Sequence, residues 1–149
     1  MPIPLPAPTV RLLEKVAKEI SASAYAPYSG FRVGSAVLGA SGKIYAGCNV
    51  ENASYSLCHC AERTAIVSAV AAGERKFQAV VVYTPTPAPT APCGACRQVI
   101  HEFAPDAIIL SVCDSAARLE TTLPALLTHA FGPKDLKAQP TASKAPGKR

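Results

Sequence analysis

Two short segments of the chain carry residue types that can bind a metal ion. Residues 58–63 read CHCAER, and residues 92–96 read PCGAC. Cys60, Cys93 and Cys96 can supply three thiolates, which favour zinc over magnesium or calcium. A closed structural zinc site uses four protein ligands, whereas three ligands leave a position for water, whose pKa the metal lowers towards neutrality. The sequence therefore predicts a catalytic zinc site with one position open to water.

A carboxylate accompanies the first predicted ligand. Glu62 lies two residues after Cys60, so at the start of a helix it can be near the metal without binding it. There it can take a proton from metal-bound water and return it to a ring nitrogen and a departing amine. The alternative is an ordinary exposed helix carboxylate. A second alternative concerns the ligands, because Cys58 or His59 could add a fourth donor and make the site structural.

Three further segments strengthen the pattern. Residues 28–34 read YSGFRVG, residues 47–55 read GCNVENASY, and residues 130–136 read AFGPKDL. With the two metal segments, they resemble the cytidine deaminase family in its small, homotetrameric, zinc-dependent form, over about residues 25–136. The resemblance implies a three-layer α/β/α fold with a mixed, roughly five-stranded sheet. It also implies hydrolytic deamination of cytidine and deoxycytidine to uridine and deoxyuridine plus ammonia, in pyrimidine salvage, by zinc-bound hydroxide with Glu62 as proton shuttle.

The resemblance also implies how the substrate is held. It places Phe31 beside the pyrimidine ring, where an aromatic face can stack, and Ala61 among the substrate-binding residues. Asn49 and Glu51 correspond to a pair that holds the ribose hydroxyls. Without the resemblance, Phe31 would be assigned to the core, Asn49 to a turn and Glu51 to the solvent-facing surface.

Three more residues receive roles from the same resemblance. Arg63 corresponds to an arginine that bonds the ligating sulfurs, and three thiolates on Zn²⁺ leave a net charge of −1 that needs a counter-charge. Its alternative is a surface cation. Tyr55 and Phe131 correspond to residues used between subunits, with Phe131 reaching into a neighbour's site, although a terminal helix also needs an apolar anchor. A homotetramer with shared active sites is therefore expected.

Composition limits the class of protein. A chain of 149 residues fits one domain, and no apolar run approaches the roughly 20 residues that cross a bilayer. The proline-rich start does not resemble a secretory signal, so we expect a cytoplasmic protein with reduced thiols. The formal net charge is +5, of which residues 134–149 carry +4 and residues 1–133 only +1. We therefore expect a small nucleoside substrate, no nucleic acid and no membrane.

Hydrophobic periodicity and turn residues predict the order of elements. We expect an extended proline-rich arm at 1–8, one catalytic domain at 9–136 and a disordered basic tail at 137–149. The predicted elements are helices at 9–24, 59–72, 93–103 and 123–131, and strands at 31–38, 43–49, 79–83 and 107–113.

Two other functions remain open from the sequence. The chain could deaminate another aminopyrimidine nucleoside, or it could be a structural zinc-binding module without catalysis. The structural module predicts a fourth protein ligand and tolerance of Glu62→Gln.

Overall fold

The computed structural model describes residues 4–137. It contains a mixed five-stranded sheet with helices on both faces. The elements are α1 (Ala7–Ser21), β1 (Gly34–Gly39), β2 (Ile44–Cys48), a 3-10 turn (Tyr55–Leu57), α2 (Ala61–Ala71), β3 (Phe77–Tyr83), α3 (Gly94–Phe103), β4 (Ile108–Val112), β5 (Arg118–Thr122), α4 (Leu123–Leu126) and α5 (Pro133–Lys137).

The strands lie in the order β2-β1-β3-β4-β5. β1 pairs antiparallel with both β2 and β3, β3 pairs parallel with β4, and β4 pairs antiparallel with β5. Because β2 and β3 both run opposite to β1, they are parallel to each other. Helix α2 therefore connects β2 to β3 across β1, and α3 connects the neighbouring strands β3 and β4.

Two apolar clusters cover the two faces of the sheet, because successive side chains of a strand point to opposite faces. One cluster joins the sheet to α2 and α3, and the other joins it to α1. Central strands β1 and β3 contribute to both clusters and are almost entirely buried. These clusters confirm the predicted three-layer α/β/α arrangement. The first includes Val37, Ile66, Val80, Ile100 and Ile109, and the second includes Leu13, Ala17, Leu38, Val81 and Leu110.

The predicted N-terminal boundaries were wrong by a few residues. Helix α1 begins at Ala7, so residues 7 and 8 belong to the helix and not to an extended arm. Proline is tolerated in a first helical turn because its missing N–H would be unpaired there anyway, which explains why Pro8 is accommodated. The helix ends at Ser21 instead of Ala24, and the Ser21 hydroxyl donates to the Lys18 carbonyl at 2.7 Å.

The predicted C-terminal part was also wrong. The expected helix at 123–131 is only the short α4, and Phe131 lies in a loop before α5. Strand β5 was not predicted because its sequence, RLETT, is largely polar and partly exposed at the edge of the sheet. The predicted basic tail at 137–149 lies, after Lys137, outside the described residues. Among residues 4–137, no helix combines the length and the apolar character that crossing a membrane requires.

Candidate metal centre and active site

Two helices begin at the predicted metal ligands. Cys60 is the N-cap of α2, and Cys93 is the N-cap of α3, both with extended backbone angles. Cys96 lies in the first turn of α3 and is buried. Helix N-termini stabilise negative charge through their free N–H groups and aligned peptide dipoles, so both ends favour thiolates. The helices start one or two residues later than predicted, which places Cys60 and Cys93 directly at the helix ends.

The three sulfur atoms form one compact group. All three lie within 4.8 Å of one another, and the Sγ atoms of Cys60 and Cys93 are 3.7 Å apart. A tetrahedral zinc with Zn–S bonds of about 2.3 Å would place its sulfurs about 3.8 Å apart. Among the residues that the structure describes, these three cysteines make up the whole group of mutually close donor atoms. Cys58 and His59, which the sequence left open as a fourth ligand, do not belong to the group.

Arg63 lies against the sulfur group. Its Nη2 atom is 3.7 Å from Cys60 Sγ and donates to the Cys58 carbonyl at 2.9 Å. Interactions with Cys96 and Arg63 lower the pKa of the Cys60 thiol to about 5, although burial opposes the shift. The Nε atom of Arg63 is a buried donor for which the described residues provide no acceptor. The arginine thus supplies positive charge where three thiolates would accumulate negative charge.

Glu62 is among the few charged side chains buried in this structure. It occupies the first turn of α2, is 4% exposed and lines the cavity next to Cys60. Burial is the largest cause that raises its pKa, because a charged carboxylate is poorly solvated there, and the charge of Cys60 adds to the increase. A raised pKa makes the carboxyl group a stronger proton acceptor when ionised, as general acid–base catalysis requires. The alternative of an exposed helix carboxylate does not fit this burial.

A cavity of about 220 Å³ opens beside the sulfur group. It lies at the carboxyl ends of β2 and β3, the edge where α/β sheets commonly bind ligands. Its walls include four of the predicted substrate-binding residues, Phe31, Asn49, Glu51 and Ala61, together with Cys60, Glu62 and Cys93. The sequence did not indicate that Thr84, Thr90 and Ala91 would also line the cavity.

Asn49 and Glu51 have a role that the sequence did not reveal. Asn49 accepts from the Val33 N–H and donates to the Phe31 carbonyl, both at 2.8 Å. Glu51 accepts from the backbone N–H groups of Tyr28 and Ser29 and from the Ser29 hydroxyl. These hydrogen bonds lower the pKa of Glu51, and the bond from the Ser29 hydroxyl has the largest effect. The pair thus fixes the segment that carries Phe31, and β1 begins at Gly34 instead of the predicted residue 31.

Tyr55 and Phe131 lie outside the cavity of their own chain. Tyr55 is 72% exposed and its ring packs on Tyr28, with the ring centroids 5.8 Å apart. Phe131 is 58% exposed, and its carbonyl accepts from Gln98 Nε2 at 2.9 Å. The structure of one chain therefore does not bring these two residues to the site.

A family model fits this architecture. The model described as "Cytidine and deoxycytidylate deaminase zinc-binding region" matches residues 9–112. The chain belongs to this family. The matched residues include all three predicted ligands, Glu62 and Arg63. A zinc-binding family agrees with the interpretation of the three-thiol group as a zinc site.

Relatives within the family cover most of the chain. A cytidine deaminase of Sporosarcina psychrophila is 47% identical over 120 residues, which is 80% of this chain and 88% of that protein. The crystal structure of a cytidine deaminase from Burkholderia pseudomallei is 48% identical with a TM-score of 0.78, covering 81% of this chain and 98% of that one. A cytidine deaminase structure from Mycobacterium tuberculosis is 36% identical with a TM-score of 0.72, and the match covers 83% of this chain and 97% of that one. Fold and family therefore agree.

The residues present fit zinc. Three thiols within tetrahedral reach form a donor set of the kind that zinc prefers, whereas hard cations such as magnesium bind oxygen instead. Two helix N-termini and Arg63 offset the negative charge of the thiolates. The predicted zinc site and the cavity therefore share the wall formed by Cys60 and Cys93.

Proposed function

We propose that this chain is a zinc-dependent cytidine deaminase. It converts cytidine and deoxycytidine to uridine and deoxyuridine and releases ammonia. The observation that carries the proposal is a buried carboxyl group, Glu62, beside a group of three thiols, two of which, Cys60 and Cys93, line a cavity of about 220 Å³. The family membership and the names of the relatives support the choice of cytidine.

The chain's own residues account for the steps of hydrolysis. Cys60, Cys93 and Cys96 hold the zinc ion, which when bound lowers the pKa of a water molecule. Glu62 accepts one proton of the water that attacks C4 of the pyrimidine and passes it to the ring nitrogen. It then accepts the proton of the resulting C4 hydroxyl group and delivers it to the departing amine, which leaves as ammonia while C4 becomes a carbonyl carbon. Its burial keeps bulk water from competing for the proton. Arg63 balances the charge of the thiolates.

The cavity walls suggest how the nucleoside is oriented. The ring of Phe31 offers a face on which the pyrimidine can stack. The side-chain amide of Asn49 donates one N–H and accepts one hydrogen bond from the backbone. Its second N–H and the second lone pair of its oxygen can bind a sugar hydroxyl. Glu51 similarly retains acceptor capacity beside the bonds to Ser29. Ala61, which is buried at the start of α2, leaves room for the base.

We also propose a homotetramer in the cytosol, where pyrimidine salvage would use the activity. The three ligands must remain reduced thiols, and the reducing cytosol provides this condition. The exposure of Tyr55 and Phe131 supports their use between subunits. Light scattering should give about 62 kDa, four times the 15.5 kDa chain, and a monomeric mass would contradict this part of the proposal.

One assay tests the function. Purified protein is mixed with cytidine, and the ultraviolet change to uridine is followed with and without a strong chelator. Glu62→Gln should retain zinc and lose at least about 10²-fold in kcat, because general acid–base catalysis contributes 10²–10⁴-fold. The matched variant Glu102→Gln, at an exposed position of α3, should behave as the unaltered protein. A structural zinc module would release no ammonia, and a deaminase of another aminopyrimidine would turn over a different nucleoside.

A further inference from the structure

Part of the cavity wall is a loop rich in proline. Residues 84–92, here called the threonine loop, connect β3 to α3 and include Pro85, Pro87, Pro89 and Pro92. Thr84, Thr90 and Ala91 of this loop line the cavity. The shape of the substrate site therefore depends on how this loop is held.

Backbone hydrogen bonds hold only the first part of the threonine loop. The Thr84 N–H donates to the Val112 carbonyl at 3.1 Å, and the Thr86 carbonyl accepts from the Asp114 N–H at 3.1 Å. From residue 87 to residue 92, three positions are prolines without an N–H, and the structure shows no backbone N–H of the other three donating to a carbonyl. Side chains must fix this part of the wall.

Hydroxyl groups supply those bonds. The Thr86 hydroxyl donates to the Ala88 carbonyl at 2.7 Å, and it lies 2.7 Å from Thr84 Oγ1. Because Thr86 has one hydroxyl proton and uses it on a carbonyl that can only accept, Thr84 donates to Thr86. The Thr84 hydroxyl is also the donor towards Thr90 Oγ1 at 3.4 Å, so its single proton is shared between Thr86 and Thr90. One buried hydroxyl, that of Thr84, therefore connects the start of the loop to residues 86 and 90.

The metal ligand at the end of the loop is held separately. Arg97 donates from Nε to the Pro92 carbonyl at 2.8 Å and from Nη1 to the Leu126 carbonyl at 3.0 Å. These bonds attach the residue before Cys93 to α3 and α4. A change in the middle of the threonine loop should therefore alter the cavity wall without moving the sulfur group.

We propose that Thr84 is a positioning residue for the substrate. Its hydroxyl holds Thr90 and Ala91 in place as the wall of the nucleoside cavity, so binding of the pyrimidine nucleoside depends on it while binding of zinc does not. This inference rests on the proposed function for the identity of the ligand. It assigns Thr84 no contact with the reacting atoms.

The test removes the hydroxyl but keeps the shape of the side chain. Thr84→Val deletes the hydrogen bonds at nearly constant volume, and Thr84→Ser retains the hydroxyl. The dissociation constant of cytidine is measured by calorimetry in the Glu62→Gln background, where cytidine is not consumed. Thr84→Val should weaken binding about five- to tenfold, the change expected when one net hydrogen bond is lost. Thr84→Ser should stay within about twofold of its parent.

Further readouts separate positioning from a general loss of structure. With Glu62 intact, Thr84→Val should raise KM and leave kcat within about twofold, and zinc affinity in a competition with a chromophoric chelator should not change. Thr86→Val, which deletes the partner hydroxyl at a position outside the cavity lining, should reproduce the increase in KM. Thr121→Val, on strand β5, is the matched control and should change none of these values.

The outcomes distinguish the inference from the function. Unaltered cytidine affinity in Thr84→Val would overturn the inference, as would a Thr84→Ser variant as weak as Thr84→Val or a parallel loss of zinc affinity. If the unaltered protein binds cytidine but does not convert it, the proposed function fails. The ratio of the cytidine dissociation constants of Thr84→Val and its parent still tests whether Thr84 positions the cavity wall. If it binds no pyrimidine nucleoside, both fail.

Discussion

The contact between β2 and α2 offers a sharp test of how the fold supports the site. Gly47 of β2 faces the first two turns of α2, where an ideal Cβ would lie 2.2 Å from the Ala65 backbone N and 2.7 Å from the Ala61 carbonyl oxygen. Both are backbone atoms, so they cannot rotate away as a flexible side chain could. Glycine is therefore required here for the close approach of strand and helix.

The expected effect of Gly47→Ala follows from these distances. Ordinary contact begins at 3.4 Å, so the Ala65 nitrogen must retreat by about 1.2 Å. Overpacking of this kind costs about 1–3 kcal/mol of unfolding free energy, which lowers Tm by about 3–10 °C for a chain of this size. Glu62 lies in the same stretch of α2. A displacement of about 1 Å at a catalytic group can reduce kcat/KM about 10²-fold.

Urea denaturation and the cytidine assay measure the two effects separately. Gly94→Ala is a matched steric control for stability, because apart from its chain neighbours and its own helix backbone no heavy atom of the described residues lies within 4 Å of its ideal Cβ. That variant should keep its unfolding free energy within about 1 kcal/mol. If Gly47→Ala stayed within about 0.5 kcal/mol of the unaltered protein and within twofold in kcat/KM, the close approach would not support the site and the reasoning would be refuted.

Three other perturbations address the ligands and the walls of the cavity. Cys60→Ala should lose zinc and turnover together, and full zinc content by metal analysis would show that Cys60 is not a ligand. Asn49→Ala should raise the KM for cytidine about tenfold with zinc retained, whereas Asn52→Ala should not; an unchanged KM would argue against sugar binding. Since the pKa of Glu51 is lowered from 4.5 in the folded chain, its contribution to stability is present above that value and is lost as pH falls through the lower folded pKa. Urea midpoints between pH 3 and 6 should therefore fall less steeply in Glu51→Gln, and an identical acid slope would contradict the assignment.

The metal site could be predicted from the sequence because its information is local. The spacing of Cys93 and Cys96 places both at the start of one helix, and the apolar runs indicated strands β1 to β4 and their helices. The two-residue offset between Cys60 and Glu62 favours Cys60 as the ligand over Cys58 and His59. The structure confirms the grouping of the three sulfurs, because their distances agree with tetrahedral coordination.

Features that depend on distant partners could not be predicted. Strand β5 is polar, and only pairing with β4 makes it a strand. The helix expected at 123–131 is interrupted, and His129 adopts a positive φ of 51° that no local rule requires. The side chains of Asn49 and Thr84 bond to segments whose proximity exists only after the sheet has formed. Spacing therefore predicts the group of three cysteines but not the side chains that hold the cavity.

The order of the sheet explains why two helix ends can share one metal. β2 and β3 are parallel and flank β1, so their axes are about 10 Å apart, twice the usual strand spacing of about 4.8 Å. Packed helices also lie about 8–10 Å apart. Because α2 and α3 follow these strands on one face of the sheet, their N-termini arrive side by side at the same edge, and Cys60 and Cys93 come within 3.7 Å. A further strand between β2 and β3 would separate the helix ends by about another 5 Å, beyond the reach of a single tetrahedral ion.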